Sequence, residues 1–112
     1  MDPDCLFCKI VAGQIPAAIV HDSEDVLAFN DVNPQAPVHV LVIPKKHVPN
    51  IGELAADPET SAILLAGIRG VVAELGLTDY RTVFNTGAGA GQSVFHVHGH
   101  VLSGRSFGWP PG

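Results

Sequence analysis

Phe95-His96-Val97-His98-Gly99-His100-Val101-Leu102 alternates imidazole with small or apolar side chains over eight residues. Period-two alternation predicts a strand over 95–102, in which His96, His98 and His100 share one face at intervals of about 6.6 Å. Six histidines occur in the chain, and three of them crowd into this stretch. A solvated face, a metal site and a nucleophilic site are all compatible with three aligned imidazoles. A single zinc ion held by all three is awkward, because the outer two are about 13 Å apart along a strand while zinc sits near 2 Å from each nitrogen. Nucleophilic use needs one neutral imidazole whose neighbours fix its tautomer.

Upstream, Thr86-Gly87-Ala88-Gly89-Ala90-Gly91-Gln92-Ser93 reads as a Gly-rich loop between two strands. Such a loop lets backbone N–H groups approach an anion, and Ser93 adds a rotatable donor, although a plain hairpin connection has the same composition. Tyr80–Asn85 predicts the strand before it. Ala17–Asp22 and Val26–Asp31, joined by Asp22-Ser23-Glu24-Asp25, predict a hairpin. Val38–Ile43 is an apolar run closed by Pro44, as expected of a strand buried on both faces, and His39 is its one polar residue. Asp57-Pro58 is a cap followed by Pro, and Leu64, Ile68, Val71, Val72 and Leu75 follow helical spacing up to Gly76. Asp2-Pro3 repeats the cap signal, so a short first helix starting there and ending at Gly13 places Cys5 and Cys8 one turn apart. The order predicts an α+β domain: a mainly antiparallel, five-stranded sheet with one long helix and a short N-terminal one.

At 112 residues the chain suits a single domain, 1–112, with a distinct tail over 105–112. Hydrophobic residues make up 46% and charged residues 15%, with a mean hydropathy of +0.28, so a folded core is expected rather than disorder. The longest apolar runs, 63–68 and 38–43, fall short of the roughly 18 to 20 residues that cross a bilayer, and the acidic Met1-Asp2-Pro3-Asp4 start is unlike a secretory signal. A cytoplasmic protein without membrane contact is expected. Six Lys plus Arg against eleven Asp plus Glu give a net charge of -5, which disfavours binding to a nucleic-acid backbone but leaves a single nucleotide open. The two cysteines, two residues apart, favour a metal or redox pair over a fold-stapling disulfide.

His96-Val97-His98-Gly99-His100-Val101-Leu102 resembles the motif of the histidine triad family: His, apolar, His, apolar, His, apolar, apolar. The likeness extends through Phe7-Cys8-Lys9-Ile10, Ile15-Pro16-Ala17, Asn33-Pro34-Gln35-Ala36-Pro37 and Val42-Ile43-Pro44-Lys45-Lys46-His47. Gly91-Gln92-Ser93 and the ending Trp109-Pro110-Pro111-Gly112 resemble the Hint branch in particular. That resemblance implies a homodimer that hydrolyses purine nucleoside phosphoramidates to AMP or GMP and an amine, without an organic cofactor. It makes His98 the nucleophile, with His100 and His39 fixing its tautomer or touching the phosphate. Asn85, Gln92 and Ser93 would hold phosphate oxygens, Asp31 the ribose hydroxyls, and Leu6, Phe7, Ile10, Ile15, Phe29 and Val32 the base. Trp109 would reach the neighbouring subunit's site at the leaving-group end.

The resemblance further implies structural zinc on Cys5, Cys8, His47 and His96, a residue set that satisfies closed tetrahedral coordination. Two departures stand out. Gly99 replaces a bulky apolar residue, which predicts lost packing on the face opposite the histidines and slower turnover; Asn30 stands where relatives often carry His. Alternative functions are hydrolysis of dinucleoside polyphosphates, as in the Fhit branch, and a nucleotide-binding or interaction role in which turnover is incidental.

Overall fold

A computed structural model describes residues 2–112. It has five strands, β1 (Ile19–Asp22), β2 (Val26–Asn30), β3 (Val38–Pro44), β4 (Arg81–Val83) and β5 (Gly99–Ser103). They form one sheet in the order β1-β2-β3-β5-β4, with every neighbouring pair antiparallel. Three α-helices accompany it, α1 (Leu6–Val11), α2 (Ile51–Leu54) and α3 (Pro58–Glu74), with one 3₁₀ turn at Ala88–Ala90. The α+β class and five antiparallel strands agree with the sequence expectation.

Side-chain alternation assigns the two faces. Val26 and Ala28 of β2, Val40 and Val42 of β3 and Val101 of β5 pack with Leu64, Ile68 and Val71 of α3 in the larger core. Leu27 and Phe29 of β2 and Leu41 and Ile43 of β3 point the other way, onto Cys5, Phe7 and Cys8 of the first turns. His39 and His100 share this second face, by the same period-two logic.

The cap of α3 is as expected: the Asp57 carboxylate accepts from the Thr60 backbone N–H at 3.0 Å, and Pro58 opens the helix. At its other end Gly76 takes φ +65°, the left-handed conformation that a non-glycine side chain resists. Leu75, the last residue of the apolar spacing, is the C-terminal cap of the helix and is 41% exposed.

β1 starts at Ile19, two residues later than expected, and four further features depart from the sequence expectation. First, α1 starts at Leu6 with Cys5 as its cap, the Cys5 sulfur accepting from the Cys8 N–H at 3.3 Å. Asp2 heads a separate turn in which its carboxylate accepts from the Asp4 N–H. Second, α2 was not anticipated, although Asn50 and Glu53 carry a capping signal and the Asn50 side chain accepts from the Glu53 N–H. Third, β4 is shorter than 80–85, and Phe84 beyond it folds over Gly99.

Fourth, and most consequential, β5 begins at Gly99 rather than Phe95. Continuing the β3–β5 register, in which Val42 faces Gly99, would set Val97 opposite Pro44, which has no N–H to give. The Pro44 carbonyl takes the His96 side chain instead, and the Val97 N–H goes to the Val48 carbonyl at 2.7 Å. His96 and His98 therefore precede the strand.

Gly99 also corrects an expectation. A Cβ built there would meet Phe84 Cζ at 2.9 Å and Ile68 Cδ1 at 3.1 Å, so these two side chains already fill the space and no packing is lost.

Candidate functional site

A cleft of about 440 Å³ opens on the sheet face away from α3. One side is apolar: Leu6, Phe7, Ile10, Ile15, Phe29, Val32 and Leu41 line it. Its polar members include Asp31, Ser93, His98 and His100. The Phe7 ring stands edge-on to both Phe29, at 5.3 Å, and His98, at 5.0 Å between centroids, so α1 forms one wall.

Hydrogen bonds fix the protons on His98, on His100 and on His39 behind it. His98 Nδ1 lies 2.7 Å from the His96 carbonyl oxygen. A carbonyl only accepts, so Nδ1 carries the proton and Nε2 of the neutral ring keeps a lone pair. Burial lowers the His98 pKa below the usual histidine value, which keeps the ring neutral at pH 7.

The Gln35 backbone N–H donates to His39 Nδ1 at 3.0 Å, which leaves the proton of the neutral ring on Nε2. His39 Nε2 in turn lies 2.9 Å from His100 Nδ1, so it donates and His100 carries its proton on Nε2. Burial, helped by the neighbouring His98 and His39, lowers the His100 pKa to about 4. The Asp31 carboxylate lies 3.4 Å from His39 Nε2 and 4.0 Å from His100 Nδ1, while its other oxygen accepts from the Asn33 N–H. Asp31, His39 and His100 are close enough to share a cation. A metal on His39 Nε2 would displace the one proton that ring holds, so this group is a hydrogen-bond chain.

The third histidine turns elsewhere. His96 Nε2–H donates to the Pro44 carbonyl at 2.7 Å, and Nδ1 faces Cys5 Sγ at 3.4 Å, Cys8 Sγ at 3.5 Å and His47 Nδ1 at 3.3 Å. Cys8 Sγ lies 3.4 Å from His47 Nδ1. A tetrahedron with metal–nitrogen distances of about 2.0 to 2.1 Å and metal–sulfur distances of about 2.3 Å has edges of roughly 3.3 to 3.8 Å. These four separations, 3.3 to 3.5 Å, fit zinc on that measure, all four donors lie within 4.8 Å of one another, and the Pro44 carbonyl fixes the His96 tautomer a metal would need. No disulfide joins the two cysteines, and burial raises the pKa of Cys5.

Of the residues named from the sequence, ten line the cleft: Leu6, Phe7, Ile10, Ile15, Phe29, Asp31, Val32, Ser93, His98 and His100. His39 sits beneath it, bonded to His100. Gln92 is buried and braces the Gly-rich loop, accepting from the Gly87 N–H and donating to the Pro49 and Val94 carbonyls. Asn85 lies beside Gly91, outside the cleft lining. Trp109 is 84% exposed and not part of this chain's cleft.

Leu41, Val94 and Gln35 were missed. Leu41 is two residues from His39 on a strand, which was signal enough. The role of Gln35 rests on a backbone N–H, which leaves no mark in a sequence.

Residues 12–107 match the HIT domain family. An uncharacterized HIT-like protein of Synechocystis sp. is 53% identical over the whole of both chains. A 14 kDa zinc-binding protein of Zea mays is 44% identical, covering 99% of this chain and 90% of its own. The crystal structure of a HIT family hydrolase from Legionella pneumophila superposes with a TM-score of 0.91 at 46% identity, covering 97% of this chain and all of that one. With the histidine chain, the cleft and these relatives in agreement, this protein belongs to the HIT domain family.

Proposed function

We propose that the protein hydrolyses purine nucleoside 5'-phosphoramidates through a nucleotidyl group carried on His98. The observation that carries this reading is the His98 ring, with Nδ1–H committed to the His96 carbonyl and a neutral Nε2 left in a cleft. The similar hydrolase from Legionella pneumophila supports it at the level of reaction class.

In the first step the Nε2 lone pair forms a bond to phosphorus as the phosphorus–amine bond breaks, and the leaving nitrogen takes up a proton. In the second step water attacks phosphorus, the phosphorus–imidazole bond breaks and the nucleoside monophosphate departs. The His100 Nε2–H is aligned by His39 to serve the phosphate oxygens or the leaving nitrogen. Ser93 adds a hydroxyl donor, and Asp31 offers acceptors to a ribose diol. The apolar wall from Leu6 to Leu41 accommodates a purine.

Structural zinc on Cys5, Cys8, His47 and His96 is part of the same proposal, and the zinc-binding protein of Zea mays supports it. When bound, the ion would tie α1 to the segment that ends in His98. A homodimer completes the reading: β4 is an open sheet edge, and Tyr80, Leu65 and Trp109 leave apolar surface exposed. The deciding experiment is mass spectrometry of protein quenched during turnover of an AMP–amine conjugate. A nucleotidyl adduct on His98 is expected, and its absence during measured turnover would rule out the covalent route.

A further inference from the structure

Arg105 lies outside the cleft lining, yet it is tied to the histidine pair by a short chain of bonds. Its Nε–H donates to the Gln35 carbonyl at 3.0 Å. The Gln35 N–H then donates to His39 Nδ1 at 3.0 Å, and His39 Nε2–H to His100 Nδ1 at 2.9 Å. The two Gln35 bonds belong to the peptide units on either side of one Cα, so holding the carbonyl limits where the N–H can point.

Residues 33–37 form no helix or strand and are largely exposed, and so depend on their neighbours for position. One neighbour is the turn that presents Arg105. Gly104 takes φ +96°, and a Cβ there would lie 2.8 Å from Pro37 Cβ, so only glycine lets this turn pack so closely against Pro37. The guanidinium is itself held, donating from Nη1 to the Ser106 carbonyl at 2.9 Å and lying 4.3 Å over the Phe107 ring.

We infer that Arg105 is a positioning residue for His39, and through it for the proton on His100. Without the Arg105 bond the Gln35 N–H is free to drift from His39 Nδ1. The His39 ring then loses the donor that selects its Nε2–H tautomer, and His100 loses the donor that keeps its own proton on Nε2. The kinetic consequence rests on the proposed phosphoramidate reading; the structural one does not.

The test uses the full chain with ¹⁵N-labelled histidine side chains at neutral pH. Wild type should show a correlation across the hydrogen bond from His39 Nε2–H to His100 Nδ1, and its absence would overturn the inference. In Arg105→Ala that correlation should be lost, or its proton should exchange with solvent at least roughly ten-fold faster. Arg105→Lys should restore much of it, because an ammonium can donate to the same carbonyl. Arg81→Ala removes the bond to the Gly108 carbonyl and the contact with the Phe107 ring but leaves the Arg105 bond to Gln35, and should change the signal far less than Arg105→Ala does. An unaltered signal in Arg105→Ala, or an equal loss in Arg81→Ala, would overturn the inference.

On an AMP–amine conjugate, Arg105→Ala should lower kcat about ten-fold with KM within about two-fold, as expected of a misaligned rather than missing group. A wild type inactive on that conjugate would refute the proposed function, and the imidazole measurements would still decide the role of Arg105.

Discussion

The proton on His98 Nδ1 rests on the carbonyl oxygen of His96, 2.7 Å away and two residues back along the chain. His96 is held in turn by the Pro44 carbonyl and by the Cys5, Cys8 and His47 cluster. Two successive imidazoles of one motif thus divide the work, one anchoring and one facing the cleft. The division exists because Pro44 cannot extend the β3–β5 ladder and so frees the segment before Gly99 to turn inward.

His98→Ala should abolish both the nucleotidyl adduct and turnover, with kcat reduced by about 10³-fold or more, while AMP still binds through the apolar wall and Asp31. Single-turnover kinetics and AMP titration together check this. Near-normal kcat would remove His98 from the role of nucleophile.

Purified protein should carry about one zinc per chain, measured by elemental analysis. Cys5→Ser combined with Cys8→Ser should eliminate it and lower the Tm by at least about 10 °C, the shift that roughly 2 to 3 kcal/mol produces in a domain of this size. Protein expressed with zinc and never chelated, yet metal-free, would refute the site.

The fold was readable because its signals are local and periodic. Asp57-Pro58 and Gly76 bracket α3, and the apolar run before Pro44 marks β3 as the central strand. Most of the cleft was implied by the family resemblance instead, since the spacing of its apolar residues marks them only as core. What stayed hidden depends on pairing across the chain. The strand predicted over 95–102 lost its first half to a missing N–H on Pro44, which lies far away in sequence. Gly99 looked like a packing defect because nothing in its own neighbourhood reveals that Phe84 and Ile68 occupy the space above it.

That occupancy is itself testable. Gly99→Val should destabilise the fold by about 1 to 3 kcal/mol, because its Cβ would approach Phe84 Cζ to 2.9 Å, closer than real contacts allow, and crowd Ile68 Cδ1 at 3.1 Å. Adding Phe84→Ala should return part of the loss. Urea unfolding of the single and double variants measures the coupling, and an additive outcome would show that Phe84 does not limit that position.

The His100 pKa gives stability a defined pH dependence. Its folded value, lowered to about 4 by burial and by His98 and His39, lies below the ordinary 6.5 of the unfolded chain. Between those values the unfolded state binds the proton and the folded state does not, so this residue makes the fold less stable as pH falls from about 6.5 to 4. His100→Gln should flatten that part of the profile in chemical unfolding measured across the range. An unchanged slope would show that His100 protonates in the fold as readily as in the open chain.

Phe107 lies between Arg81 and Arg105, with guanidinium carbons 5.3 Å and 4.3 Å from its ring centre, and the Gly108 carbonyl accepts from Arg81 at 3.0 Å. These contacts start the tail over the sheet face that carries Arg81, Val83 and Leu102, and leave Trp109 exposed with two prolines behind it. Consecutive prolines stiffen the end, so docking it on a second subunit costs little further entropy. In the proposed homodimer Trp109 meets the leaving-group end of the partner's substrate, whereas base and ribose are held by the wall from Leu6 to Leu41 and by Asp31. Deleting 109–112, which leaves Arg105 its contacts with Ser106 and Phe107, should therefore change the ratio of kcat/KM values across a panel of AMP–amine conjugates by about ten-fold or more, with AMP affinity altered by less than about two-fold. Trp109→Ala alone should reproduce most of the change. A constant ratio across the panel, or light scattering that gives a monomer at micromolar concentration, would refute the shared site.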